Sequence, residues 1–409
     1  MKKRIFSMLL VSAMAVSLAA GCGTKEKESG SQEDKNSITV LVESGSPAET
    51  LANETAADFE SETGCKVVVD AVAYTGMYDK LSTEIKAGEA THDVGCLDVV
   101  WLAAFKDAIE PVSGADTSDF LPTLEDSGTL DGNLLGYPMW VNAKVLIYRK
   151  DLIPEEKVPS NWEEYQALAE ELTTDDMYGT TVFGSGSDGV CSFLDFSCQA
   201  GAEGLVFDKD GKVNITDQAY VDALNFMAEN AAADYTPADS LSTASTESQE
   251  LFTNGKTAMQ LNWSHQYPAA VEALGADKVG CAPMIAGSAG IGATTGPWYE
   301  CVMKNSSNQE MAMKYVEYMY DHNADYMDLT LKIAGRTSVY EEAGNEAGNE
   351  HTTAVLETLG AAQSQARPMV TTWAQIEEVL TGAVESCLGG TDARTALEAA
   401  AAEIEAIGQ

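Results

Sequence analysis

Residues 38–72 read ITVLVESGSPAETLANETAADFESETGCKVVVDAV. An apolar strand, Ile38 to Val42, gives way to a helix that Pro47 opens and Gly64 closes. Leu51, Ala52, Ala56 and Phe59 fall on one face of that helix and predict its buried stripe. Lys66 to Val72 is rich in β-branched residues and predicts a second strand, bounded by the turn Tyr74-Thr75-Gly76. Met77, Leu81 and Ile85 then recur at helical spacing before Gly88, and Val94 to Val100 predicts a third strand. Strand and helix alternating over short connections imply right-handed crossovers and a mainly parallel sheet. Ligand sites in such sheets lie at the carboxyl ends of the strands.

The same alternation continues downstream. Ser160-Asn161-Trp162-Glu163 has the form of a capping box, and Trp162, Tyr165, Leu168, Ala169 and Leu172 share the face behind it, which makes Trp162 a core residue. Tyr220 to Met227 is amphipathic, and the preceding Asp208-Lys209-Asp210-Gly211 is a hairpin turn. Its Gly comes too early for a calcium loop, and no Glu follows at the twelfth position. Ser307-Asn308-Gln309-Glu310 reads as a second capping box, ahead of a helix that buries Ala312, Tyr315, Val316 and Met319. A last, Ala-rich helix aligns Leu397, Ala400, Ile404 and Ile407.

Ahead of the first strand, Lys2, Lys3 and Arg4 precede an apolar run, Ile5 to Ala20, that is shorter than the roughly 20 residues of a comfortable membrane span. The run ends in Leu18-Ala19-Ala20-Gly21-Cys22 and resembles a bacterial lipobox, so residues 1–21 read as a lipoprotein signal peptide. Cleavage before Cys22 would free its thiol to carry a diacylglycerol, anchoring the chain to the outer face of the membrane without spanning it. Residues 22–37 are polar and charged and predict a flexible tether with a reach of about 20 Å.

The chain carries 24 Lys and Arg against 64 Asp and Glu, a formal charge of -40. That balance repels a phosphate backbone and argues against a nucleic-acid partner. The acidic residues are spread along the chain, as solvated helix faces are, and the length is enough for two domains. Beyond Cys22, the cysteines Cys65, Cys96, Cys191, Cys198, Cys281, Cys301 and Cys387 are too scattered for a disulfide scaffold and read as small core hydrophobes. A Cys281 to Cys301 bridge between neighbouring strands stays open.

Several segments, in chain order, resemble the family 1 extracellular solute-binding proteins, the maltose-binding-protein-like receptors of carbohydrate importers. They are Phe59 to Val67, Asp93 to Trp101, Gly136 to Asn142 running into Leu146 to Leu152, Phe252 to Met259, Gly296-Pro297-Trp298 and Ala366-Arg367-Pro368. Cys96 and Cys301 stand where that pattern would have ordinary apolar residues. The resemblance implies an α/β, two-lobed periplasmic-binding-protein-like fold of type II, with three hinge crossings near Trp140 to Lys144, Thr294 to Glu300 and Gly335 to Tyr340. Residues 38–140 plus 298–337 would form one lobe and residues 141–297 plus 338–409 the other. It also implies an extracytoplasmic, monomeric binding lipoprotein that closes on a carbohydrate and passes it to the permease subunits of an ABC importer, with no cofactor and no metal.

A pyranose has one C–H face and a rim of hydroxyls, so its site calls for flat aromatic platforms beside hydrogen-bonding groups that replace water. Trp101, Trp140, Trp263, Trp298 and Trp373 read as lying at strand ends or in loops, and the last three match family binding positions best. Glu43 and Ser44 end the first strand, Asp98 ends the third, and Asn142 lies on the first crossing. Asp188 sits in the Gly-rich stretch 184–189, which lacks the Lys and the spacing of a phosphate loop. Two other readings stay open: a receptor for a cationic solute such as a polyamine, and a glycosidase using Asp98 and Asp188 as acid and base. No nucleophile-elbow or zinc-protease motif supports an enzyme, and His92, His265, His322 and His351 are dispersed.

Overall fold

The computed structural model describes residues 36–88, 91–323, 325–326, 334–339 and 350–408. The expected signal peptide, Cys22 and most of the expected tether lie outside them. Ser37–Glu43 pairs in parallel with Lys66–Val72 along its whole length and with Val94–Asp98 on its other side. Ile38, Val40, Leu41 and Val42 are all fully buried, as expected of a strand covered on both faces. The long strand Thr294–Met303 runs antiparallel to Val94–Asp98, and Tyr137–Asn142 lies antiparallel beside it. The sheet is therefore mixed: it is parallel among its first three strands and again where Gln365–Ala366 joins Thr294 and Thr295.

A second, three-stranded antiparallel sheet has Lys144–Arg149 at its centre, between Met259–Trp263 and Val279–Ala282. Asn142 pairs in the first sheet and Lys144 in the second, so the chain passes between them over a single residue, Ala143.

Local chemistry accounts for several helix ends. Ser46 caps the helix Pro47–Thr63 by accepting from Glu49 N–H, and Gly64, at φ 72°, closes it in the left-handed conformation that glycine adopts without strain. The expected strand Val94 to Val100 stops at Asp98. There the carboxylate turns back to accept from Val100 N–H and starts the helix Val99–Phe105. The apolar run after Asp98 suits a strand or a buried helix equally, and the cap decides between them. The helix Tyr74–Ala87 likewise begins where a turn was expected.

The capping boxes also differ from expectation. Asn161, not Ser160, caps the helix Trp162–Leu172, and Glu164 takes the Ser160 N–H and hydroxyl. Trp162 is half-buried, stacked on Phe226 at 4.2 Å. Ahead of Gln309–His322 no side-chain cap forms, and Ser306, one residue before the expected box, accepts from Asn308 N–H. That helix still buries Ala312, Tyr315, Val316 and Met319. The seven cysteines after Cys22 are free. Cys281 and Cys301 lie in different sheets, so the bridge left open is absent.

Glu300 stands apart from the other buried charged residues. On the long strand and 1% exposed, it has no hydrogen-bond partner for either carboxylate oxygen. Burial pushes its pKa up to about 8, so near neutral pH it is mostly held protonated. A raised folded-state value means a contribution that is fully present below the unfolded value, near 4.5, and lost as pH rises through 8. Glu300→Gln should therefore gain on the native protein as pH rises, its melting-temperature advantage growing by a few degrees between about pH 5 and pH 9. A difference that stays flat across that range would mean that Glu300 does not titrate in the fold.

Candidate ligand-binding site

The carboxyl ends of the first and third strands carry Glu43 and Asp98. Asp98 is 2% exposed and fully engaged. Its Oδ1 accepts from Arg367 Nη2 at 2.6 Å and its Oδ2 from the Tyr74 hydroxyl at 3.0 Å. Arg367 follows the short strand Gln365–Ala366, which runs beside Thr294 and Thr295. A Cβ at position 296 would stand 3.2 Å from Arg367 Nη2, so glycine there leaves the guanidinium room to reach across the strand.

Trp298 pairs in register with both Asp98 and Trp140. Its ring stacks on Trp140 at 5.7 Å and meets Trp101 edge-on at 5.8 Å, and Tyr74 lies over Trp101 at 4.8 Å. Three of the five tryptophans singled out in the sequence thus share one cluster, each at most 7% exposed. Trp101 belongs to a helix rather than a strand end.

A second group rises from the three-stranded sheet. Asp188 lies in the first turn of the helix Gly186–Gln199 and not in a loop, because the helix begins inside the Gly-rich stretch. Its Oδ1 accepts from Trp263 Nε1 at 2.7 Å and its Oδ2 from Ser245 N–H at 2.8 Å. Lys144 Nζ donates to Ser192 Oγ at 2.8 Å, pairs with Asp195 at 3.2 Å and sits 4.9 Å from the Trp263 ring centre. Asp195 in turn accepts from the Thr294 N–H and hydroxyl. Asn142 accepts from Ser264 Oγ and meets His265 Nδ1 at 2.8 Å. Burial lowers the His265 pKa to about 4, so its ring is neutral near pH 7.

Electrostatics couple the two groups. Burial, with Asp98 and then Asp188 adding to it, raises Glu43 to about 7. Glu377 accepts from Ser187 Oγ at 2.7 Å. Burial raises its pKa as well, opposed first by that bond and then by Arg367. Ser44 is exposed and only extends the sheet through its N–H to Val72. Trp373 opens the helix Trp373–Leu388 and is 1% exposed, packed with the core, its indole N–H buried without a hydrogen-bond partner.

Tyr74, Lys144, Arg367 and Glu377 had no assigned role in the sequence. Arg367 stood inside one of the marked segments and Lys144 at the edge of a crossing, which was the only signal either gave. Among the described residues no cluster of His, Cys, Asp and Glu is arranged to hold a metal ion. Asp98, spent on Arg367, Tyr74 and a helix N-terminus, is badly placed to serve as a general acid.

The profile of a family described as bacterial extracellular solute-binding protein matches residues 41–325. A probable ABC transporter-binding protein of Deinococcus radiodurans is 26% identical over 244 residues, a match spanning 56% of this chain and 58% of that protein. The maltodextrin-binding protein MdxE of Bacillus subtilis is 25% identical over 378 residues, covering 87% of this chain and 85% of its own length. Among solved structures, maltose-bound MalE3 of T. maritima superposes with a TM-score of 0.82 at 25% identity, covering 91% of this chain and 99% of that one.

Proposed function

We infer, from a chain that belongs to the bacterial extracellular solute-binding protein family, that its task is to capture an oligosaccharide outside the cell membrane and deliver it to the permease subunits of an ABC importer. The observations that carry this reading are the Trp298 ring cluster beside the Asp98–Arg367 pair and the Trp263–Asp188 pair, whose two carboxylates both act on Glu43. Aromatic faces beside ion-paired carboxylates suit a ligand with C–H faces and hydroxyl edges. Sugar-binding relatives support the same class.

In this reading residues 38–140 plus 298–337 form one lobe and residues 141–297 plus 338–409 the other, and the ligand favours the state in which they close. The protein is a monomer, tethered through a lipid on Cys22. A thermal-shift screen against neutral oligosaccharides, amino oligosaccharides and polyamines tests the ligand class. A ligand at 1,000 times its Kd stabilises the fold by about 4 kcal/mol. Stabilisation by polyamines and by no saccharide would replace the sugar reading with the cationic-solute one.

The stabilising ligand should be recovered unchanged after incubation, because capture turns nothing over. The anchor has its own test. Cys22→Ala should release the protein from the membrane fraction and leave ligand binding intact, whereas a variant still membrane-bound after high-salt washing would refute the lipid anchor.

A further inference from the structure

The two buried cations of the candidate site are already committed. Lys144 pairs with Asp195, and Arg367 with Asp98. Against them stand Glu43, Asp98, Asp188, Asp195 and Glu377, while His265 is neutral near pH 7. Asp188 has donors on both oxygens, and Glu377 has the Ser187 hydroxyl. Glu43 differs. It is half-buried at the end of its strand, and among the described residues its carboxylate has no hydrogen-bond or ion-pair partner. A second group is also incomplete: Arg367 is 4% exposed, yet its Nε has no acceptor. A half-buried carboxylate beside two others lacks a donor, and a buried guanidinium lacks an acceptor.

Resting on the saccharide reading above, we propose that the ligand is an amino saccharide whose protonated amine is received by Glu43 and whose ring oxygens or hydroxyls approach Arg367. A neutral sugar could give Glu43 a hydroxyl, but it brings no positive charge, and the excess of acid around Glu43 would then be relieved only by protonation. An ammonium supplies that charge, and Asp98 and Asp188, which otherwise oppose ionisation of Glu43, then favour binding.

The sign of the proton exchange on binding separates the two cases. Glu43 titrates near pH 7. An ammonium stabilises its charged form and drives a proton off, whereas a neutral sugar buries it further and draws a proton on. Calorimetric titration of the full-length protein near pH 7, in two buffers of different ionisation enthalpy, reads that sign directly. The probes are a glucosamine oligosaccharide, its N-acetylated counterpart, maltotriose and spermidine.

The glucosamine oligosaccharide should bind about tenfold or more tightly than its N-acetylated counterpart, with proton release. Glu43→Gln, with its melting curve recorded alongside, should erase both the preference and the release. Tight binding of maltotriose or the N-acetylated sugar with proton uptake overturns this inference and leaves the oligosaccharide reading standing. Binding of spermidine alone overturns both, and an amine preference that survives Glu43→Gln removes Glu43 as its receptor.

Discussion

Lys144→Met is expected to destabilise the protein by about 3 to 5 kcal/mol, the usual cost of removing one partner of a buried ion pair. Lys144 and Asp195 are each 1% exposed, so the orphaned carboxylate would have no solvent to turn to. The loss should reach further than the pair. Lys144 starts the strand that follows the crossing, Asp195 holds the Thr294 end of the long strand, and the Lys144 Nζ lies against the ring of Trp263. Adding Asp195→Asn to Lys144→Met should recover a large part of the loss, because the stranded charge goes while an oxygen remains to accept from Thr294. Lys144→Arg is not a safe substitute, since its planar fork needs more room and more acceptors. Denaturant unfolding of the single and double variants measures this. A single-variant loss below about 1 kcal/mol would mean that the buried Asp195 does not depend on the cation.

The sequence carried the elements whose causes are local. Ile38 to Val42 and Phe59 with Leu51 were legible because burial leaves its mark within a strand or over two helical turns. The helix from Gln309 kept its buried face although its expected cap did not form. Asp98 was legible as the end of a strand, but its role was not. Its partner Arg367 lies 269 residues away, and only the fold brings Gly296 between the two ends of the chain to make space for the contact. The tryptophans show the same limit. An indole in a sequence looks alike whether its ring faces a ligand, as Trp263 can beside Asp188, or lies in the core, as Trp373 does. Charge was readable in total but not in pairing: the excess of acid gave no sign that Lys144 and Arg367 would be committed to buried pairs while the Glu43 carboxylate has no partner among the described residues.

Trp373→Ala should accordingly act on the fold and not on the ligand. The ring is 1% exposed, on a helix that also buries Ile376 and Leu380, so truncation leaves a cavity costing about 3 to 5 kcal/mol. Affinity measured well below the melting temperature should change little. Trp298→Ala should show the other pattern. Its ring is the junction of the cluster beside Asp98, and its loss should weaken binding by about 2 kcal/mol, or roughly thirtyfold in Kd. Some stability will go with the Trp140 stack, so the two variants must be compared on both axes. Calorimetric titration with the ligand from the stabilisation screen, together with ligand-free unfolding curves, supplies them. A thirtyfold loss of affinity in Trp373→Ala with an unshifted unfolding curve would return Trp373 to the ligand site. Unchanged affinity in Trp298→Ala would take the aromatic platform out of the saccharide argument, leaving that argument to rest on the relatives alone.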